Sequence, residues 1–298
     1  MLKGYLKDCM NEKPLIIFDT DMDTDCDDAG ALLMLINAHL LGKIDLLGVI
    51  GDSDCEFAAP FCKTVLKYYG LDIPVGESYG HITKDMLLID YRNHQKACEK
   101  VAYSKMLSKR EGKIHNSTEL YLEMLSKSLD NSVTVLCVGM LTAVYDAIKA
   151  DRTLFEQKVK QVVVMGNPYK ENDFNFGMDA KSTKGFFEIC PCPVFISYLG
   201  SDVITGNHLD KALPIEHPVR KAYEIWSDGN GRSSWDLIAA LFAINPTLNA
   251  FKTVDKCHIE YDDKKKTALL KTNDTRDNII GLNCTNKEME DMLNDFLI

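Results

Sequence analysis

Phe18-Asp19-Thr20-Asp21-Met22-Asp23-Thr24-Asp25-Cys26-Asp27-Asp28-Ala29 places six carboxylates within the ten residues from Asp19 to Asp28. The stretch joins two apolar patterns. Leu15–Phe18 reads as a buried strand, and Asp28–His39 reads as a helix with Ala29, Leu32, Leu33 and Ile36 on one face. Like charges at this density repel and raise one another's affinity for protons. A cation removes that cost, and hard oxygen donors select Ca²⁺ or Mg²⁺ over softer metals. A solvated acidic loop with Asp28 near a helix N-terminus is the plainer alternative, but loops that open directly off a buried strand are rarely mere surface.

Working outward, the alternation continues. Leu46–Ile50, Val133–Val138, Val162–Met165 and Val194–Ser197 read as strands. Phe57–Tyr69, the segment through Tyr145 and Ile148, and Ala180–Ile189 read as helices. Strands alternating with helices predict an α/β protein: a mostly parallel open sheet with helices on both faces and a Rossmann-like core. Ligands of such sheets collect at the carboxyl ends of the strands. Polar groups fall at those ends: the acidic loop, Gly51-Asp52-Ser53-Asp54, Gly139–Thr142, Gly166-Asn167 and Gly200-Ser201-Asp202. No repeat or Pro/Gly/Ser-rich linker interrupts the chain, so residues 1–298 are expected to form one domain, with 1–13 a polar leader. The segment 80–118, with His81, His94 and His115, reads as an insertion over the site.

Three metal-site patterns compete for the acidic stretch. An EF-hand counted from Asp21 would need Gly and Glu where Cys26 and Leu32 stand. A Mg²⁺-dependent aspartyl phosphatase opens with a similar Asp-x-Asp, but no late acidic pair follows a strand. A strand running into Asp-Thr-Asp, then Asp-Asp-Ala opening a helix, resembles the inosine-uridine preferring nucleoside hydrolase family. Further motifs recur in order: Val138-Gly139-Met140-Leu141-Thr142, Val164-Met165-Gly166-Asn167, Asp173-Phe174-Asn175-Phe176-Gly177-Met178-Asp179 and Ser233-Ser234-Trp235-Asp236.

The resemblance implies Ca²⁺-dependent hydrolysis of the N-glycosidic bond of ribonucleosides or a related N-riboside. Asp21 would bind the ion and act as base toward a metal-bound water. Asp28, the Thr142 carbonyl and Asp236 would complete the metal set, with Asp25 a further candidate. Asp27 and Asn175 would hold ribose hydroxyls, Asp173 the 5′ end, and Asn167 joins them on the substrate. The loop from Asp21 to Asp27-Asp28 is two residues longer than the common family pattern, so Asp25 competes with Asp27 for the substrate role. Trp235 replaces the usual leaving-base His; a Trp face is a platform for a nucleobase, or else a core residue. His208 and His217 are the remaining candidates for a leaving-group acid. A non-catalytic ribose- or nucleoside-binding homologue is the alternative outside enzymology.

A net charge of −10 with no Lys/Arg-rich run argues against a nucleic-acid partner. No apolar run approaches a membrane span. The ten cysteines are scattered, several in apolar runs, and read as free buried thiols, Cys190-Pro-Cys192 included. The expected setting is cytoplasmic, with a small nucleoside-like partner, a role in purine and pyrimidine salvage, and a homo-oligomeric state carried over from the family.

Overall fold

The computed structural model describes residues 13–22, 24–53, 55–78, 103–109, 111–272 and 275–298. Strands β1 (Leu15–Thr20), β2 (Asp45–Gly51), β3 (Val75–Glu77), β4 (His115–Asn116), β5 (Val133–Cys137), β6 (Val159–Met165) and β7 (Val194–Ser197) run parallel to their neighbours. A two-stranded ribbon, β8 (Ile204–Thr205) with β9 (Arg232–Ser233), stands apart. The chain ends in β10 (Phe251–Asp262), β11 (Thr267–Lys271) and β12 (Asp277–Leu282) and a helix over Asn286–Phe296. The main sheet runs β11-β10-β12-β7-β6-β5-β1-β2-β3-β4, and among these strands β10 alone runs against the direction of the others. This is the expected mostly parallel, open α/β sheet, extended at one edge by an antiparallel meander that the apolar pattern did not announce.

Both faces of the sheet are covered, and β1 shows why its run is continuously apolar. Ile16 and Phe18 pack with the helices Asp27–Leu40, Ala58–Tyr68 and Trp235–Ile244, whereas Ile17 packs on the opposite face with Ser117–Lys127, Thr142–Ala150 and Ala180–Ile189. The helix Asp27–Leu40 is buried almost all round, and Leu32, Leu33, Leu35 and Ile36 are wholly inside. Each contributes roughly 1.5–3 kcal/mol by leaving water. This firm seating holds the first turn of the helix, with Asp27 and Asp28, against the sheet.

The chain leaves β1 in one direction to form β2, β3 and β4, then returns to the other side of β1 to form β5, β6 and β7. The carboxyl ends of β1 and β5 therefore diverge, and the crevice between them is where open α/β sheets bind ligands. Of the segment expected as an insertion, 80–102, with His81 and His94, and residue 110 lie outside the described residues. The described part starts with a short helix, Tyr103–Leu107, whose wholly buried Tyr103 donates its hydroxyl to the Asp25 carbonyl at 2.8 Å. It thus packs beneath the acidic loop. No described helix is long and apolar enough to cross a membrane.

Candidate active site

The loop after β1 delivers its carboxylates in two directions. Asp19, still on the strand, points to the face away from the crevice, where Tyr121 donates to it at 2.5 Å. One strand position further, the Thr20 hydroxyl donates to Asp28. Asp21 follows at the strand's end, with its carboxylate held by the Thr24 hydroxyl at 2.8 Å. Gly139, just after β5, is needed for this placement. A Cβ there would lie 2.5 Å from the Asp21 nitrogen and 2.8 Å from its Cγ. Asp236 arrives from the far end of the sequence at the start of helix Trp235–Ile244. Its backbone N–H donates to Asp27 Oδ2 at 3.1 Å, so Asp27 caps a helix 209 positions away in sequence. At Gly200, φ is +128° and a Cβ would stand 2.6 Å from the Trp235 nitrogen. Only glycine lets the turn after β7 pass close enough to seat Trp235 and Asp236.

The side-chain oxygens of Asp27, Asp28 and Asp236 come within 4.8 Å of one another. Asp21, Asp27, Asp28 and Asp236 are each no more than 3 % exposed. Burial, then repulsion from neighbouring carboxylates, pushes Asp27, Asp28 and Asp236 well above the usual carboxylate range. Burial pushes Asp21 to about 7. Asp236 Oδ1 is buried with no hydrogen-bond partner among the described residues. Concentrated buried acids with an orphaned oxygen are the donor set of a hard divalent cation, and the residues present fit one.

These acids open onto a cavity of about 350 Å³, the size of a small-ligand site. Asp25, Val138, Met165, Asn167, Lys170, Asp173, Asn175, Tyr198, Ser201, Arg232 and Trp235 also line it. Asn175 donates from Nδ2 to the carbonyls of Val138 (2.6 Å) and Met165 (3.2 Å), leaving Oδ1 for a ligand. Asp173 caps the short helix Phe174–Met178 through the Phe176 N–H, and burial raises its affinity for a proton. Asn167 Oδ1 accepts from the Tyr169 N–H, so this side chain also braces its own turn. Trp235 is no core residue: it faces the cavity and donates from Nε1 to Ser201 Oγ at 3.2 Å.

Several expectations change. Thr142 does not line the cavity. It is the first residue of helix Thr142–Ala150, where its carbonyl belongs to the helical ladder, and its hydroxyl donates to Asp179. Val138, four positions earlier in the same turn, lines the cavity instead. Asp25 lines the cavity but is matched by a guanidinium. Arg232 Nε donates to both its oxygens at 2.9 and 2.8 Å, and Nη2 donates at 2.6 Å. Nothing in the sequence singles out Arg232, which lies in an unremarkable Gly-Arg-Ser stretch that forms β9. His217 is buried away from the cavity between Tyr68 and Tyr69, with Nε2 2.7 Å from the Tyr69 hydroxyl. Burial lowers it to about 4. His208 does not line the cavity either. Asp52 caps helix Thr142–Ala150 through the Ala143 N–H, and burial pushes it to about 7. Asp23 and Asp54 lie outside the described residues. The eight described cysteines are free, Cys190 and Cys192 among them.

An open α/β sheet with an acidic, metal-competent crevice at its switch point defines the class of protein. The family follows from the sequence: the model of the inosine-uridine preferring nucleoside hydrolase family matches residues 16–289, and the chain belongs to that family. It is an N-glycosyl hydrolase by that membership, and the aspartyl phosphatase alternative is left without support. Among solved structures, the chain is similar to an inosine-uridine preferring nucleoside hydrolase from Bacillus anthracis, at 15 % identity, TM-score 0.72, and coverage of 95 % of this chain and 99 % of that one. It is similar to a plant nucleoside hydrolase at 16 % identity, TM-score 0.73, covering 96 % and 99 %. The type III effector protein XopQ, solved with adenosine diphosphate ribose, is similar at 13 % identity, TM-score 0.71, covering 99 % and 96 %. No match was found among curated proteins.

Proposed function

We propose that the chain, acting as a single domain, hydrolyses ribonucleosides or a related N-riboside with a bound Ca²⁺ ion. The observation that carries this reading is the convergence of Asp21, Asp27, Asp28 and Asp236 on one cavity, with Asp236 Oδ1 left unpartnered. Asp21, Asp28 and Asp236 are the side chains assigned to the ion. The Val138 carbonyl replaces that of Thr142 as the main-chain donor, and Asp25 is withdrawn from the metal set because Arg232 already neutralises it. When bound, the ion supplies charge that eases proton loss from water and coordination positions for sugar oxygens.

The protein's own groups do the rest. Asp21, oriented by Thr24, accepts the proton of the attacking water. Asp27 has one oxygen committed to the Asp236 N–H and offers the other to a ribose hydroxyl. Asn175 Oδ1 accepts from a second hydroxyl, because Nδ2 is already spoken for. Asp173 and Asn167, which also line the cavity, are assigned to the 5′ end of the substrate. As the C1′–N bond lengthens, positive charge grows on the sugar, and the surrounding carboxylates stabilise it. A ribose subsite also suits the adenosine diphosphate ribose bound by XopQ, since both molecules share that sugar. Family resemblance further supports a homo-oligomer in the cytoplasm and a part in base salvage.

Release of ribose from uridine and inosine, with Ca²⁺ and after chelation, tests the reading. Activity that depends on Ca²⁺ and vanishes in Asp21→Asn is expected. Absence of ribose from every ribonucleoside, with the folded protein and Ca²⁺ present, refutes it and leaves the non-catalytic binder.

A further inference from the structure

Breaking an N-glycosidic bond leaves an electron pair on the base, and a purine or uracil anion is a poor leaving group unless something meets that charge. Among the described residues no histidine lines the cavity. Trp235 has an indole N–H that donates hydrogen bonds but does not give up its proton near neutral pH. The cavity does contain a guanidinium. Arg232 lies over the Trp235 ring, with its central carbon 5.1 Å from the ring centroid. Asp25 grips Nε and Nη2 and fixes the plane of the fork. Asp25 is itself anchored, its Oδ1 by the Cys26 N–H and its carbonyl by Tyr103. This leaves Arg232 Nη1 with no hydrogen-bond partner among the described residues, on a side chain that lines the cavity and lies over the indole.

We propose that Arg232 is the catalytic residue that stabilises the leaving base as an anion, and that Asp25 positions it. The inference rests on the ribosyl hydrolase reading above and names how that site meets its leaving group. Water adds to C1′ as the C1′–N bond breaks, and the bond's electron pair departs on the base nitrogen. The proton of the water passes to Asp21. Arg232 keeps its own protons, because a guanidinium stays charged at any working pH. It donates hydrogen bonds to the negative edge of the base, which takes a proton from solvent after leaving. A donor already fixed in place where charge develops stabilises that charge without having to reorganise as the bond breaks. The longer acidic loop therefore has a use in this chain: its extra carboxylate, Asp25, holds the cation of the leaving-group subsite.

The test compares kcat/KM and kcat for uridine, inosine and 4-nitrophenyl riboside, all with Ca²⁺, in wild type, Arg232→Gln, Arg232→Lys and Asp25→Asn. Nitrophenolate leaves readily and needs little help. Arg232→Gln is expected to lower kcat for uridine and inosine by about a hundredfold or more, and to raise the preference for the nitrophenyl substrate by a similar factor. Arg232→Lys, which keeps the charge and loses the fork, falls between. Asp25→Asn shifts the preference in the same direction by less. Added guanidinium ion restores part of the uridine activity of Arg232→Gln, which a merely misfolded variant would not show. Wild-type kcat for inosine shows no loss on raising the pH through the range where a histidine or lysine acid would ionise. An equal loss on all three substrates in Arg232→Gln, or a wild-type alkaline limb that Arg232→Gln retains, overturns the assignment while the hydrolase stands. A wild-type enzyme inert toward the nitrophenyl riboside as well removes the hydrolase reading itself.

Discussion

Removing the divalent cation should destabilise the protein, and by an amount that depends on pH. Asp21 is buried and pushed from 3.8 to about 7, and Asp27, Asp28 and Asp236 are pushed in the same direction. A carboxyl whose folded-state pKa is raised contributes stability that is present below its unfolded value near 3.8 and is lost as pH rises through the folded value. For Asp21 alone, about three units correspond to roughly 4 kcal/mol. The apo protein should therefore weaken between pH 4 and pH 8, and the cation should restore what is lost. An ion at a thousand times its dissociation constant adds about 4 kcal/mol. With an unfolding entropy of about 2.1 cal/mol/K per residue, a chain of 298 residues turns this into a rise in Tm of about 6 °C. Differential scanning calorimetry at pH 8 and pH 5, with chelator or with millimolar Ca²⁺, measures it. The rise should be large at pH 8 and small at pH 5. Asp236→Asn should make the chelated protein no less stable at pH 8, because it relieves repulsion, while abolishing the response to Ca²⁺. Equal melting with and without the ion at both pH values, or an undiminished response in Asp236→Asn, refutes the reasoning.

Other consequences follow from single residues. Gly139→Ala forces a Cβ into Asp21 and should abolish ribonucleoside hydrolysis while costing about 1–3 kcal/mol in denaturant unfolding. His217 is lowered to about 4, so it favours the folded state above its unfolded value near 6.5, and that contribution is lost as pH falls toward 4. The difference in unfolding free energy between wild type and His217→Gln should shrink by roughly 3 kcal/mol over that window, and a constant difference shows that His217 does not titrate there. Tyr103→Phe removes the bond to the Asp25 carbonyl; a loss of about 1 kcal/mol and weaker Ca²⁺ binding by calorimetry are expected. If Asp27 and Asn175 read the ribose diol, 2′-deoxynucleosides should react at least tenfold more slowly, since an unpaired buried partner costs on the order of 1–3 kcal/mol; equal rates for the two sugars rule this out.

The part of the fold legible in the sequence is the part buried on both faces. β1, β2, β5, β6 and β7 each carry a mostly apolar run because helices cover both sides, and such runs announce themselves. β10 was not legible for the opposite reason. Lys252, Thr253, Val254, Asp255 and Lys256 are consecutive and exposed near the sheet's edge, so no apolar run appears, and the alternation is confined to Cys257, Ile259 and Tyr261. Within the site, residue type showed that carboxylates converge but not how they divide the work. Asp25 and Asp27 are equivalent as text. Only the fold shows that one meets Arg232, 207 residues away, and the other caps the helix carrying Asp236. Likewise the turn Val138–Thr142 offers several carbonyls, and backbone direction decides which of them faces the cavity.

The separation between Asp27 and Asp236 also bears on how the protein is made. Asp21, Asp27 and Asp28 lie within eight residues of one another, and Asp236 follows more than two hundred residues later. Until Asp236 is made, the growing chain holds only part of an ion site, with its negative charge uncompensated. Closing a loop of that length costs on the order of 5 kcal/mol in chain entropy, comparable to what the ion returns. The cation is thus a late fastener: it grips only a chain whose first and last thirds have already met, and its capture marks the end of folding.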